Sequence, residues 1–440
     1  MNAFSPHNRQ GRRIDALQDR RMSRRLLAAL GLAALACSSE AEAEDLFARD
    51  QNVAVLERPH PEWDPLGFRA GAFQILPKVV GGVTYDDNIL ALPVAPLSDA
   101  LFMVQPEVTL KSDWNQNSLT LDAKGILSRY ATHASQDSDQ YSVTAAGVLN
   151  AYHDLTLTGD ASHARILLTR DTDAYARFSL IPLLYDETAA HLGLVKSFAR
   201  FKLTAAGAFE DYRYHEGLTV SLSPPAIVPL DDTERDHDTF IGSLRADYAL
   251  SGDVALFVEE TVTHSTYRRA QFRNQTQTET LAGPNFVITH LITAEIGLGY
   301  LTSDFADPRA KSVGNFTARA KIEYFPTELI TLTLTGDQTV VDSGVPESPA
   351  YLSRAVLAEA DYELLRNLII SAKLGAEWNK YLAVDRYDRH FNAGLSATWR
   401  LNRGLDLGLS YGRLQRSSSG SEAGLRFTDD TVTFSVTLKH

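Results

Sequence analysis

From Ala72 to the last residue, apolar and polar side chains alternate in stretches of roughly ten residues, separated by gaps that are alternately short and long. The short gaps are Asn115-Gln116-Asn117, His153-Asp154, Ala199-Arg200, Ser251-Gly252-Asp253, a break near His290, Pro326-Thr327-Glu328, Arg366-Asn367 and Asn402-Arg403-Gly404. Longer polar gaps lie between them, among them Asp86–Ser98, His215–Glu234, Phe305–Lys311 and Arg416–Thr428. Eight short turns and nine long loops join eighteen strands, or sixteen if the Gln277–Ile288 segment and a neighbour fail to form. An even number of antiparallel strands with short turns on one side and long loops on the other predicts a single, all-β transmembrane β-barrel. Both termini then share the short-turn, periplasmic side.

Strand pleating separates two faces with period two, and the face against hydrocarbon must be apolar. In the last strand Val432, Phe434, Val436 and Leu438 are assigned to lipid, and Thr431, Thr433, Ser435 and Thr437 to the interior. Ile330, Leu332 and Leu334 alternate with threonines, as do Phe391, Leu395, Trp399 and Leu401 with Asn392, Ser396, Thr398 and Arg400. Aromatics on the lipid phase beside short turns (Phe201, Tyr248, Tyr324, Tyr362 and Trp399) predict an interfacial girdle. The parity falters at Glu260 and at Gly283-Pro284, where Pro deletes a ladder hydrogen bond, so a bulge is expected near one of them.

The interior phase carries charges of both signs. They are Glu107, Lys111, Asp122, Lys124, Glu210, Arg245, Asp247, Glu259, Arg319, Lys321, Glu323, Glu359, Asp361, Lys373, Glu377 and Arg400. Sixteen to eighteen strands leave room for water, so these residues are expected to pair across strands and to line a hydrophilic conduit.

The beginning of the chain reads differently. Arg20, Arg21, Arg24 and Arg25 precede the apolar run Leu26–Ala36, and Ala41-Glu42-Ala43 offers a cleavage site, so 1–43 is expected to be an export signal. Ser23-Arg24-Arg25-Leu26-Leu27 has twin-arginine character, but that route carries folded cargo, and general secretion suits a barrel better. Cys37, the single cysteine, sits in a loose lipoprotein-like box; cleavage after Ala43 leaves a mature chain without thiol chemistry. Removing the leader's seven Arg and four acidic residues leaves 35 basic against 51 acidic residues, a net charge of −16. That balance excludes nucleic acid as a partner.

Catalytic and metal motifs add little. Gly408-Leu409-Ser410-Tyr411-Gly412 matches G-x-S-x-G, but it lies within an alternating strand and not on a strand-turn-helix elbow. Asp86-Asp87-Asn88 has oxygens suited to calcium, yet it opens a loop, where such residues favour turns. No catalytic residue, metal site or cofactor is assigned.

The stretch Arg58, Pro59, His60, Pro61, Glu62, Trp63, Asp64, Pro65, Leu66, Gly67, Phe68, Arg69, Ala70, Gly71, followed by Pro77 and by Thr84-Tyr85-Asp86-Asp87-Asn88-Ile89, resembles the start of the Putative β-barrel porin 2 family. The resemblance implies an outer-membrane barrel of a Gram-negative bacterium, associated with exopolysaccharide synthesis and export. It covers 58–440 and is architectural beyond the first stretch. The implied partners are outer-membrane lipids, the barrel-insertion machinery, a polysaccharide and periplasmic export components. One departure is the ending Leu438-Lys439-His440, where barrels commonly close on an aromatic residue. The domain order expected is 1–43 leader, 44–71 periplasmic segment and 72–440 barrel. Three roles are open to the middle segment: a plug of the lumen, a docking site for a periplasmic partner, or a flexible linker. A general or nutrient-uptake porin is the alternative function, and an outer-membrane enzyme ranks third.

Overall fold

The computed structural model describes residues 47, 52–152, 154–170, 179–222, 225–307, 312–345 and 348–440. The expected leader with Cys37 and its cleavage site lies outside the described residues, as do His153 and Lys311 of two expected gaps.

The described residues form strands β1 (Phe68–Ala70), β2 (Phe73–Asp86), β3 (Asp99–Ser112), β4 (Ser118–Tyr130), β5 (Ser138–Tyr152), β6 (Leu155–Leu168) and β7 (Leu183–Ser197). Then come β8 (Phe201–Tyr214), β9 (Gly217–Leu222), β10 (Pro225–Leu230), β11 (His237–Ala249), β12 (Val254–Tyr267), β13 (Gln275–Ile288) and β14 (Ile292–Phe305). The last seven are β15 (Val313–Thr327), β16 (Ile330–Val345), β17 (Ser348–Leu365), β18 (Leu368–Tyr381), β19 (Tyr387–Asn402), β20 (Leu405–Ser419) and β21 (Phe427–Lys439). Setting aside the short β1 and the β9–β10 hairpin, eighteen strands pair antiparallel with their chain neighbours, β8 bonding β11 and β21 returning to β2. The ring is closed. This is an eighteen-stranded antiparallel barrel, as the gap rhythm predicts.

The phase assignment holds on the outside. Leu332, Leu334, Phe391, Leu395, Trp399, Val432, Phe434 and Leu438 are exposed on the outer wall, and so are all five girdle aromatics beside the short turns. An outer wall of exposed apolar side chains with hydroxyls and charges behind it reverses the layout of a soluble protein and fits a wall set in hydrocarbon. Among the described residues no helix is long and apolar enough to cross a membrane.

The irregularities differ from expectation. Neither Glu260 nor Gly283-Pro284 carries a register shift: β12 and β13 pair evenly past Glu260, which points outward and accepts the Thr280 hydroxyl. At Gly283-Pro284 the β13–β14 ladder skips two pairs and resumes in the same register. Gly283 absorbs the strain without an extra residue, since a Cβ there would lie 1.8 Å from the Ile296 carbonyl oxygen. Register shifts appear beside turns instead, as between Tyr324 and Thr327, where Pro326 cannot donate. Three expected gaps also differ: β15 runs through Thr327, so that turn is Glu328-Leu329; β20 continues to Ser419; and the His215–Glu234 gap contains the β9–β10 hairpin.

Candidate functional site: a lumen narrowed at both mouths

Most of the predicted interior charges are fastened to partners on the inner wall. Lys78 meets Glu107 at 2.7 Å, and Lys124 approaches the same carboxylate at 4.0 Å. Asp122 accepts the Thr109 hydroxyl, Asp361 the Ser371 hydroxyl and Glu377 the Ser353 hydroxyl. Lys321 pairs with Glu323 at 2.9 Å, and Lys373 with Glu359. Glu210 accepts the Tyr212 hydroxyl and lies 3.8 Å from His191, whose other ring nitrogen is 2.7 Å from Asp160. Lys111 lies exposed near the short-turn end.

Two clusters reach well beyond neighbouring strands. Arg245 on β11 contacts Asp247 on its own strand, Glu259 on β12 and Glu295 on β14, while Arg319 on β15 crosses to Glu259 at 2.9 Å. Arg245 also lies 4.1 Å from the Phe257 ring centre, over its face. The second cluster gathers at the long-loop end, where Arg273 meets Asp342 at 2.7 Å and Arg235 meets it at 3.4 Å.

The cause of that second cluster is the parting of β16 from β15, while β17 keeps its ladder with β18 as far as Tyr351. The β15–β16 ladder stops at Ala320 opposite Gly336, although β15 begins at Val313. Beyond this point β16 stays paired with β17, still joined to β18, and their hairpin end packs Val340, Ala350 and Leu352 against Leu301 of β14. Leu301, Ser303, Gln277 and Arg273 beneath it are almost fully buried. The hairpin therefore narrows the long-loop mouth from one side.

At the short-turn mouth the N-terminal segment lies against interior-phase residues. The Val55 amide donates to the Thr331 hydroxyl at 3.0 Å, and Val55 itself is completely buried. Arg58 pairs with Glu363 at 3.1 Å and donates to the Glu328 carbonyl; His60 lies 3.8 Å from the same carboxylate. Farther along, Arg400 stands 3.8 Å from Asp64, and Arg403 donates to the Pro61 carbonyl. The segment ends in a left-handed turn at Gly67, where a Cβ would lie 2.5 Å from the Ile75 carbonyl oxygen. A second one at Gly71 lets β1 pair back on β2. In the family-like motif, then, Arg58, Pro61 and Asp64 touch the barrel and Gly67 and Gly71 shape the chain; Arg69 stands opposite Gln74 in the ladder and its guanidinium pairs with the exposed Asp113 at 3.4 Å. Trp63 donates its amide to the His60 carbonyl at 2.8 Å, a tie within the segment itself.

The long loops are bound to one another. Arg170 donates to the Ser179 carbonyl and to Gln136, and burial pulls its guanidinium below the ordinary value. Asp231 accepts from the Thr233 hydroxyl and amide, which hold its carboxyl below the usual range. Inside, Tyr212, His237 and Tyr267 stack across β8, β11 and β12 at centroid distances of 4.6 and 4.7 Å.

Sequence reasoning missed Lys78, Asp160, His191, Arg235, Arg273, Glu295, Asp342 and Glu363. Glu295 shares the interior phase of β14, so parity would have found it. Arg235 and Arg273 end 3-10 turns in the long-loop connections, where parity says nothing. Ser410 faces Ser396 and Thr433 in mid-strand with no helix after it. The elbow that G-x-S-x-G requires is absent at this position.

A search of curated proteins yields no match. Among solved structures, the outer membrane protein OpdK from Pseudomonas aeruginosa shares 13% identity at a TM-score of 0.43, covering 83% of this chain and 99% of its own. OccAB3 from Acinetobacter baumannii shares 10% identity at a TM-score of 0.44, covering 84% of this chain and 100% of its own. The FrpB iron transporter from Neisseria meningitidis shares 9% at 0.43, covering 83% and 81%. The family model named Putative beta-barrel porin 2 matches residues 60–440, which is nearly the whole of the described barrel and its N-terminal segment. The chain belongs to that family.

Proposed function

We propose that this protein is an outer-membrane conduit that passes a secreted polysaccharide passively, with the short turns and both termini in the periplasm. The observation that carries the reading is the closed eighteen-stranded ring with an exposed apolar outer wall and a polar, charge-paired inner wall. Rings of this size leave an aqueous channel. The interior charges are mostly paired, which favours filtering by size and polarity over selection by charge sign. A hydroxyl-rich inner arc, including Thr84, Thr433, Ser435, Ser396 and Ser410, offers weak, replaceable hydrogen bonds to a neutral sugar chain. Family membership supports the porin reading, and the polysaccharide is the finer step taken here. Function on this view resides in the bore and not in a nucleophile.

The N-terminal segment, pinned by Arg58 and Asp64, serves as a partial plug in the same reading. Planar-bilayer recordings test the conduit: the full chain should conduct ions, and removal of 52–66 should raise the conductance. In cells, S396W combined with T333W should reduce polymer secretion while the barrel still assembles, and S410A should leave secretion intact. A well-inserted barrel silent with and without the segment, whose S410A form loses the cellular phenotype, would overturn the conduit and revive an enzyme. A barrel that conducts and takes up small solutes, with secretion unchanged when it is deleted, would favour the nutrient-uptake porin.

A further inference from the structure

The ring closes where β2, the first barrel strand, meets β21, the last. Their ladder runs from Lys78 opposite Lys439 to Asp86 opposite Thr431. At the short-turn end this seam has a fastener, because the His440 ring stacks on Phe68 at 4.2 Å and its amide donates to the Pro77 carbonyl. The long-loop end is built differently.

Asp86 and Asp87 alone would be an acidic turn leaving a strand. Asp86 accepts the Asn88 amide at 2.8 Å, and Asp87 accepts the Asp430 amide at 2.8 Å, so one oxygen of each carboxylate is held by the backbone. Asn88 ties the loop down by donating to the Leu92 and Thr428 carbonyls. The independent observation is Asp429, delivered by β21 from the far end of the chain. Asp429 is 7% exposed, and its Oδ1 is shut off from solvent and meets no donor among the described residues. One oxygen from each of Asp86, Asp87 and Asp429 lies within 4.8 Å of the other two. Asp86 is 1% exposed.

Three carboxylates at this separation repel one another, and two of them have surrendered the water that would screen them. No Arg, Lys or His pairs with any of the three among the described residues. The neighbouring acids are otherwise engaged: Asp99 holds His133, and Asp430 holds Arg413 and the Tyr411 hydroxyl. Calcium binds oxygen ligands at about 2.3–2.6 Å, so oxygens on opposite sides of one ion stand up to about 5 Å apart. The spacing fits. The donor set is all oxygen, which excludes the soft metals that prefer sulfur and nitrogen.

We propose that Asp86, Asp87 and Asp429 form a divalent-cation site, of the calcium class, that fastens the long-loop end of the barrel seam. The ion neutralises two of three negative charges and joins the first strand to the last where the hydrogen-bonded ladder ends. Waters or substrate oxygens complete its shell from the lumen side. Magnesium should bind more weakly, because the backbone-fixed carboxylates constrain the octahedral geometry it demands.

The test uses full-length protein refolded in a zwitterionic detergent, so that no anionic lipid competes, and stripped with EDTA. Titration with calcium chloride in a calorimeter should show one saturable site, and the unfolding temperature should climb with calcium concentration. D429N should weaken calcium binding at least tenfold and flatten that climb. D87N, which leaves the buried pair intact, should weaken it severalfold and serves if D429N does not fold. Absence of saturable calcium uptake by the wild type overturns the proposal, as does uptake unchanged in both variants. Stability that rises on acidification but ignores calcium would assign Asp86 and Asp429 to a shared proton, which also overturns it.

Discussion

Arg245 offers the sharpest test of how the inner wall is held. Its guanidinium touches Asp247 and Glu295 at 2.8 Å and Glu259 at 3.4 Å. The side chains of Arg245, Asp247 and Glu259 are 8%, 3% and 1% exposed, so little water is available to replace a lost partner. With Arg319 included, three carboxylates face two guanidiniums, and R245M leaves three against one. Breaking a buried ion pair by removing one member costs about 3–5 kcal/mol. Glu295 is 28% exposed and can recover some hydration, which places R245M near the low end, about 3 kcal/mol. Urea unfolding in lipid vesicles, followed by tryptophan fluorescence, should show a lower midpoint with an unchanged slope. The loss should persist at high salt, since screening acts weakly on buried pairs. Adding E295Q should restore part of the stability, because one stranded carboxylate is removed, and the cycle should return a coupling of about 0.5–3 kcal/mol. An R245M barrel within about 1 kcal/mol of wild type would refute the claim that this network braces the wall.

Three further outcomes are expected. L395K, in mid-strand on the outer wall, should destabilise insertion by about 2–4 kcal/mol, whereas L332K, beside the short turn, should cost about 0–1; equal penalties in vesicle folding would contradict the depth assignment. Epitope tags at Val94 or Glu422 should be reached by antibody on intact cells and a tag at Gln116 should stay hidden; Ser418, the tag position a long Arg416–Thr428 gap would suggest, is 3% exposed and donates to Asp388, so it is unsuitable. The opposite labelling pattern would invert the barrel. E363Q removes the charge that meets Arg58 and His60, and single-channel conductance should rise toward that of the 52–66 deletion; identical conductance in wild type, E363Q and the deletion would remove the segment from the conducting path.

The wall was legible because a barrel in lipid writes its geometry into every second residue. Phe434 and Thr433 differ in polarity for the same reason that they point to opposite faces, and the short turns between strands are local in sequence. Parity also assigned Glu107, Glu259 and Arg400 to the interior phase, and in the structure they meet Lys78, Arg245 and Asp64. It reports side, however, and not distance across the lumen. That Arg245 skips two strands to Glu295, or that Asp342 gathers Arg235 and Arg273, depends on curvature and on where β16 leaves β15. Glu260 misled for a related reason. An acid on the apolar phase suggested a bulge, but Thr280 across the ladder supplies a donor, so the strand keeps its register and the acid stays outside.

Bore and wall are therefore set by different parts of the sequence. Alternation within strands builds a ring that, left empty, would be wide enough for water and small solutes alike. Selectivity on the proposed reading comes from two intrusions that alternation does not specify: the β16–β17 hairpin at one mouth and the 52–66 segment at the other. Both are held by ion pairs, the hairpin through Asp342 to Arg273 of a long-loop connection and the segment through Arg58 to Glu363 of the inner wall. Those attachments differ in kind. The hairpin also packs an apolar tip on Leu301, a contact that salt does not weaken, whereas most of the N-terminal segment's attachments are polar. Of the two constrictions the N-terminal one is thus the easier to release, and in the orientation proposed above release at that mouth would open the conduit on the periplasmic side, where an exported polymer would enter.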